Sequence, residues 1–371
     1  KGMSTDLIKE DKSVYITEFK ELEKELDILD FANTSNEYLC KREYECKCID
    51  ISKKIDITKF KLEDICGEIN KFLTINDQAN KNKAFTILFI FATKYRRNKK
   101  LGSFDLVSKY RSYFSDIPMF EFCYQLAKYS EVNDSNTIKK IISETKVLLG
   151  KEEFKNEVGI KNFYCELIAT YYERELEAKS DFESKTILKE ALNIINGVIY
   201  TDVGKNYDKF YATRGRLLVL FGRYDEGEYE IRRALSMVNV NDAENTSRTI
   251  LYESYLIQGT SIRQFDLHNE KYKELEKIKV NNFKIIALMT TLLGFLLGSI
   301  NIFSSVNNPF LMGMLLIAFC GLLLILCGTI LFGLGLMFKD NKKKYKLYDL
   351  IVLVSGVIIL AISLICLSVI K

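Results

Sequence analysis

Proline and histidine are scarce in this chain, and tryptophan is missing. In 371 residues there are two prolines, Pro118 and Pro309, and one histidine, His268. Proline removes a backbone donor and ends helices, so its scarcity leaves long helices uninterrupted. With one histidine, a histidine-based triad has a single place to stand, and nothing around His268 resembles a nucleophile motif. The chain has no GxxxxGK[ST] loop, no GxGxxG and no HExxH. No enzyme and no cofactor are expected. The nine cysteines are scattered, with Cys40, Cys46, Cys48, Cys66, Cys123 and Cys165 in the polar part and Cys320, Cys327 and Cys366 in the apolar part. An odd number at irregular spacing fits reduced thiols better than a disulfide framework. The first four lack the paired C-x₂₋₄-C spacing of a zinc site, so no metal is expected.

Charge is missing where it decides the class. Three successive apolar runs, about 285–303, 310–338 and 350–370, contain no Asp, Glu, Lys, Arg or His. Each approaches or exceeds the ~20 residues that cross a bilayer. Residues 283–371 carry seven lysines against two aspartates, net +5, while the whole chain is +4. The remainder is therefore about −1, and no global basic field points to nucleic acid. Lysines gather before the first run (Lys271, Lys273, Lys277, Lys279, Lys284) and between the second and third (Lys339, Lys342, Lys343, Lys344, Lys346). The connection Ser304 to Pro309 has none. The positive-inside rule then predicts a multi-pass protein of the inner or plasma membrane with its N-terminal part cytoplasmic. Lys1 to Asp11 are polar and show no signal-peptide apolar core, which gives the same expectation.

Ionisable groups at mid-membrane mark proton relays and coupled transporters, so a pump is not expected. Small and hydroxyl residues are present instead. Gly294 and Gly298 form a GxxxG pair that permits close helix packing. Cys320-Gly321 recurs seven residues on as Cys327-Gly328, which keeps both glycines on one face. Thr290, Thr291, Ser299 and Asn301 would line a pore or hydrogen-bond between helices. Three helices per chain do not enclose an aqueous pore, so a pore requires a homo-oligomer.

The polar part has helical periodicity. Ile16, Phe19, Leu22, Leu26 and Leu29 step by three and four. Thr58 is placed to cap a helix carrying Phe60, Ile65, Ile69 and Phe72. Asp134 or Ser135 is placed to cap one carrying Ile138, Ile141, Ile142 and Leu148, ended by Gly150. Ala84 to Ala92 reads as a buried helix. Between Tyr44 and Ile57, alternation of Cys46, Cys48, Ile55 and Ile57 is the one strand-like stretch and leaves room for a small hairpin. Helix pairs are expected at about 80–114, 119–149, 153–198 and 207–238, with a long helix from Asp242 toward the membrane. The expected organisation is an N-terminal subdomain (1–79), hairpin repeats (80–241), a stalk helix (242–282) and a transmembrane domain (283–371). The fold class is all-α.

The stretch FYATRGRLLVLFGRYDEGEYEIRRALSMV resembles a tetratricopeptide repeat. Tyr211 and Gly215 stand at that family's large and small helix-A positions. Gly222 and Tyr224 match its turn, and Gly227, Ile231 and Ala234-Leu235 match helix B. Arg214 replaces the usual leucine and Asn239 the final proline. A weaker copy ends at Ala191-Leu192. The resemblance implies a solenoid with a concave groove that binds a protein partner or small ligand, with Lys209, Arg216 and Arg223 on the groove face. A second basic group, Lys94, Arg96, Arg97, Lys99 and Lys100, is a candidate phosphate or anionic-lipid contact. The layout of helical sensor plus membrane module also resembles membrane effectors of bacterial anti-phage systems controlled by a nucleotide or oligonucleotide signal. A membrane-tethered adaptor is the alternative.

Overall fold

The computed structural model describes residues 19–26, 29, 31, 34–97, 102–131, 134–178, 181–238, 243–305, 307–337 and 343–369. Among these residues the structure is all helical, with short 3-10 turns and no strand. The chain forms two compact units, one ending at Gln264 and one beginning at Phe265.

The first unit opens with α1 (residues 19–26), α2 (Asn36–Cys40), α3 (Arg42–Lys54) and α4 (Leu62–Leu73). The small hairpin for which the alternation between Tyr44 and Ile57 left room is not formed. That stretch is α3 followed by a 3-10 turn, Ile57–Lys59. Tyr44, Cys48, Ile51 and Ile55 are buried at steps of four, three and four, a helical stripe that outweighs the local alternation. The helix expected after Thr58 begins later, at Leu62. Asp56 caps the preceding 3-10 turn by accepting from the Thr58 N–H at 3.1 Å.

α5 (Gln78–Arg97) is the centre of the first core. Every residue from Ala84 to Ala92 is buried. Phe85 meets Phe114 edge-on at 5.8 Å, and Phe91 meets Phe60 at 5.1 Å. Burying one such ring contributes ~1.5–3 kcal/mol. The one hydroxyl on this stretch, Thr86, pairs with Tyr44 at 2.8 Å. α6 (Ser103–Lys109), α7 (Pro118–Glu131) and α8 (Ser135–Leu149) add to this core, which Phe154, Ile160, Phe163 and Leu167 complete. Asp134 caps α8 by accepting from the Thr137 N–H at 2.8 Å, and Gly150 closes it.

A second core joins α9 (Val158–Arg174), α10 (Phe182–Ile199), α11 (Asp208–Leu220), α12 (Tyr224–Met237) and the start of α13 (Ala243–Ser305). α11 and α12 touch backbone to backbone. A Cβ at Gly215 would lie 2.7 Å from the Gly227 carbonyl oxygen, and one at Gly227 would lie 2.7 Å from that of Gly215. Gly222 makes the turn between them at φ +89°, where a side chain is strained. Tyr252 and Ile262 bury the first part of α13 in this core.

The second unit contains the rest of α13, α14 (Pro309–Met337) and α15 (Lys343–Val369). Among the described residues two helices are long and apolar enough to cross a membrane, α13 (over Asn245–Asn301) and α14 (over Pro309–Thr329). α15 has a shorter apolar stretch, Leu350–Cys366.

Candidate functional site

Lys209, Arg216 and Arg223 lie on one line of α11 and its turn, but they do not form an open cationic face. Arg216 is buried, 5% exposed. Its Nε donates to Glu173 Oε1 at 2.8 Å, and its Nη2 donates to Glu173 Oε2 at 2.6 Å and Thr170 Oγ1 at 2.8 Å. Its guanidinium stacks on the Tyr255 ring at 4.4 Å. Burial by itself would lower the Arg216 pKa, but the adjoining Glu173 carboxylate outweighs it and holds the group above its ordinary value. Thr170 also meets the Tyr129 hydroxyl at 2.9 Å, and burial raises both Tyr129 and Tyr255. One polar knot therefore ties α7, α9, α11 and α13 together. Arg223 is exposed and pairs with Glu226 at its own helix start, and Lys209 is half-buried. Arg214 bonds Glu230 at 2.9 Å. The sequence signal for the knot is absent locally, because Glu173 lies 43 residues from Arg216.

Of the second basic group, Lys94 and Arg96 are half-buried near the end of α5 and Arg97 is its last residue. Lys99 and Lys100 lie outside the described residues. Nearby, Arg111 pairs with Glu121 at 3.2 Å and stacks on Tyr124 at 4.3 Å.

In the first unit every thiol but that of Cys46 is a core group. Burial pushes Cys40, Cys48 and Cys123 up to about 12 and raises Cys165 as well. Such thiols hold their protons at neutral pH, which opposes metal ligation and nucleophilic chemistry. Among the described residues no three His, Cys, Asp or Glu side chains converge on a cation-sized site.

A cleft of about 260 Å³ opens where α13 passes α11 and α12. Val219, Tyr224, Ile231, Tyr255, Leu256 and Arg263 line it. Gly259 leaves the room, with Val219 3.5 Å from where its Cβ would stand. At the mouth Arg263 pairs with Asp225 at 3.1 Å.

In the second unit the glycines divide by partner. A Cβ at Gly321 would lie 2.8 Å from the backbone N of Leu360, and one at Gly328 would lie 2.8 Å from the Cα of Leu353. Gly356 answers from α15, 2.8 Å from the Ile325 backbone. The seven-residue glycine repeat is thus the contact face between α14 and α15. Gly298 lies under the Phe319 ring, whereas Gly294 has ordinary clearance, 3.8 Å to Leu323. Thr290, Thr291 and Ser299 donate to carbonyls of their own helix, at Ile286, Ala287 and Leu296. The Asn301 carbonyl accepts from Ser304 and Ser305. These hydroxyls are satisfied within α13.

No protein-family model, curated protein or solved structure matches the chain.

Proposed function

We propose that this chain is an oligomeric, multi-pass membrane effector. In this reading the helical first unit is a cytoplasmic, TPR-like sensor, and three helices, the apolar parts of α13, α14 and α15, cross the membrane. A bound signal, a nucleotide or oligonucleotide being the candidate class, opens a channel or disrupts the bilayer. The layout, a helical domain joined to a membrane module, resembles that of membrane effectors in bacterial anti-phage systems. The observation that carries the reading is α13. It runs unbroken for 63 residues, from Ala243 to Ser305. Its start is buried in the second core and its end is an apolar span. A continuous helix transmits displacement, whereas a flexible linker absorbs it. Anchoring requires one span; a membrane module packed through Gly321, Gly328 and Gly356 is more than a tether requires.

The test is ion flux. The full chain, reconstituted in liposomes loaded with potassium, is expected to release it when short oligonucleotides are added. Inserting a Gly/Ser stretch after Glu276 is expected to abolish the response while folding and insertion persist. A wild-type assembly that never conducts refutes the channel. The cleft beside Tyr224 and Tyr255 favours a second reading, a membrane-tethered adaptor that takes a protein segment there. That reading gains if the chain captures a protein partner and fails to conduct.

A further inference from the structure

Between Phe265 and Ser305, α13 has two opposite faces with the same seven-residue period. One faces inward. Val280 is buried, and Ala287, Thr291, Gly294 and Gly298 are half-buried, at intervals of seven, four, three and four. Gly298 and Gly294 meet Phe319 and Leu323 of α14 on this side, and Phe295 at its border stacks on Phe319 at 6.3 Å. The other face is open. Leu275, Ile278, Asn282, Ile285, Met289, Leu292 and Leu296 alternate steps of three and four, and all are exposed. In heptad notation Leu275, Asn282, Met289 and Leu296 are a positions, and Ile278, Ile285 and Leu292 are d positions. On this register Leu267 falls at g and Tyr272 at e, so both flank the same seam. They are 49% and 63% exposed, beside Leu275 at 63% and Ile278 at 54%. His268 and Lys271 hold the seam positions above, so the apolar stretch starts at Leu275.

We infer that this face is the interface between copies of this chain, a parallel coiled coil of α13 that runs from the stalk into the membrane span. Three observations select a second copy over another partner. First, the seam keeps one heptad register from Leu275 to Leu296, which a lone surface helix or a lipid-facing helix does not need. Second, the flanking charges complement a copy of themselves. Glu274 falls at g and Lys279 at the following e, the pair that meets across a parallel coiled coil. Five residues apart, they do not face each other on one helix. Neither makes an ion pair within the chain among the described residues. Third, copies inserted by the same span run parallel, as this pairing requires. Leu275 at a with Ile278 at d favours more than two strands, and Asn282 at a fixes their register. The inference deepens the oligomeric reading above, yet it needs only α13 to hold. A chain that assembles without conducting keeps the seam and loses the channel.

The test is partner choice. Full chains bearing Glu274→Lys or Lys279→Glu are co-expressed with different tags and purified in detergent. In a mixed dimer or alternating tetramer each lysine meets a glutamate across the seam, and in a mixed trimer this holds at two of the three seams; in either homomer like charges meet at every seam. Mixed assemblies are expected in about four-fold excess over random mixing, against none for two wild-type chains. Ile278→Glu, on an exposed position that leaves helix content unchanged by circular dichroism, is expected to reduce the assembly to the mass of a single chain. Random mixing of the two charge variants overturns the inference, and so does an Ile278→Glu chain that keeps the wild-type mass.

Discussion

Changing Glu173 to Gln tests whether the knot around Arg216 holds the first unit together. Both side chains are nearly inaccessible, at 7% and 5% exposure. The substitution keeps the shape but removes the charge that faces a buried guanidinium. Removing one member of a buried pair costs about 3–5 kcal/mol, because the remaining charge stays desolvated and uncompensated. For a unit of this size that corresponds to a fall in Tm of about 6–20 °C. The chain has no tryptophan, so unfolding is best followed by far-UV circular dichroism of the full chain in detergent. Replacing both partners, Glu173→Met with Arg216→Met, removes the stranded charge and fills the space with apolar atoms. Most of the lost Tm is expected to return. A Glu173→Gln chain that melts within 2 °C of wild type (on the order of 1 kcal/mol or less), or a double variant no better than the single, refutes the reasoning.

Gly321→Leu and Gly328→Leu are each expected to separate α14 from α15 and to lower thermal stability in detergent, because the added atoms meet backbone rather than movable side chains. Gly294→Leu is expected to be tolerated, and equal effects at all three positions would show that the contact is not selective. Single cysteines at Asn307 and Asn341, in a chain whose natural cysteines are replaced, are expected to label outside and not outside, respectively, with an impermeant thiol reagent in intact cells; the reverse pattern inverts the proposed topology. Cys40, Cys48 and Cys123 hold their protons in the fold up to about 12, whereas an unfolded thiol releases its proton near 9.0. The native state therefore binds more protons between these values, and stability is expected to fall as pH rises from about 9 toward 12. The same thiols are expected to resist alkylation at pH 8 in the folded chain, measured by mass spectrometry against the half-exposed Cys46.

What could be read from sequence was what local chemistry encodes. α8 is an example: a capping aspartate, an apolar stripe and a closing glycine all lie within about five turns. α5 was legible because its apolar run is too long to be anything but buried. In α3 the alternating cysteines pointed to strands, and the stronger Tyr44, Cys48, Ile51, Ile55 stripe became decisive once packing against α5 was visible. Arg216 was not legible as a buried group. An arginine seven residues after a lysine looks like a solvated face, and its counter-charge comes from another helix. Leu267, Tyr272, Leu275 and Ile278 have imperfect spacing as one stripe. They resolve into a seam with its flanks when the opposite face of α13 fixes the phase.

The packing of the second unit determines which of its parts is free to shift. α14 and α15 meet through peptide backbones at three glycines, so sliding one past the other by even a fraction of an ångström drives main chain into main chain. α13 leans on α14 largely through the ring of Phe319, which rests over Gly298 and beside Phe295. A ring can turn about its side-chain bonds; a backbone contact has no such freedom. A twist delivered along α13 would therefore be absorbed at one aromatic bearing, with the helical hairpin behind it acting as a stator.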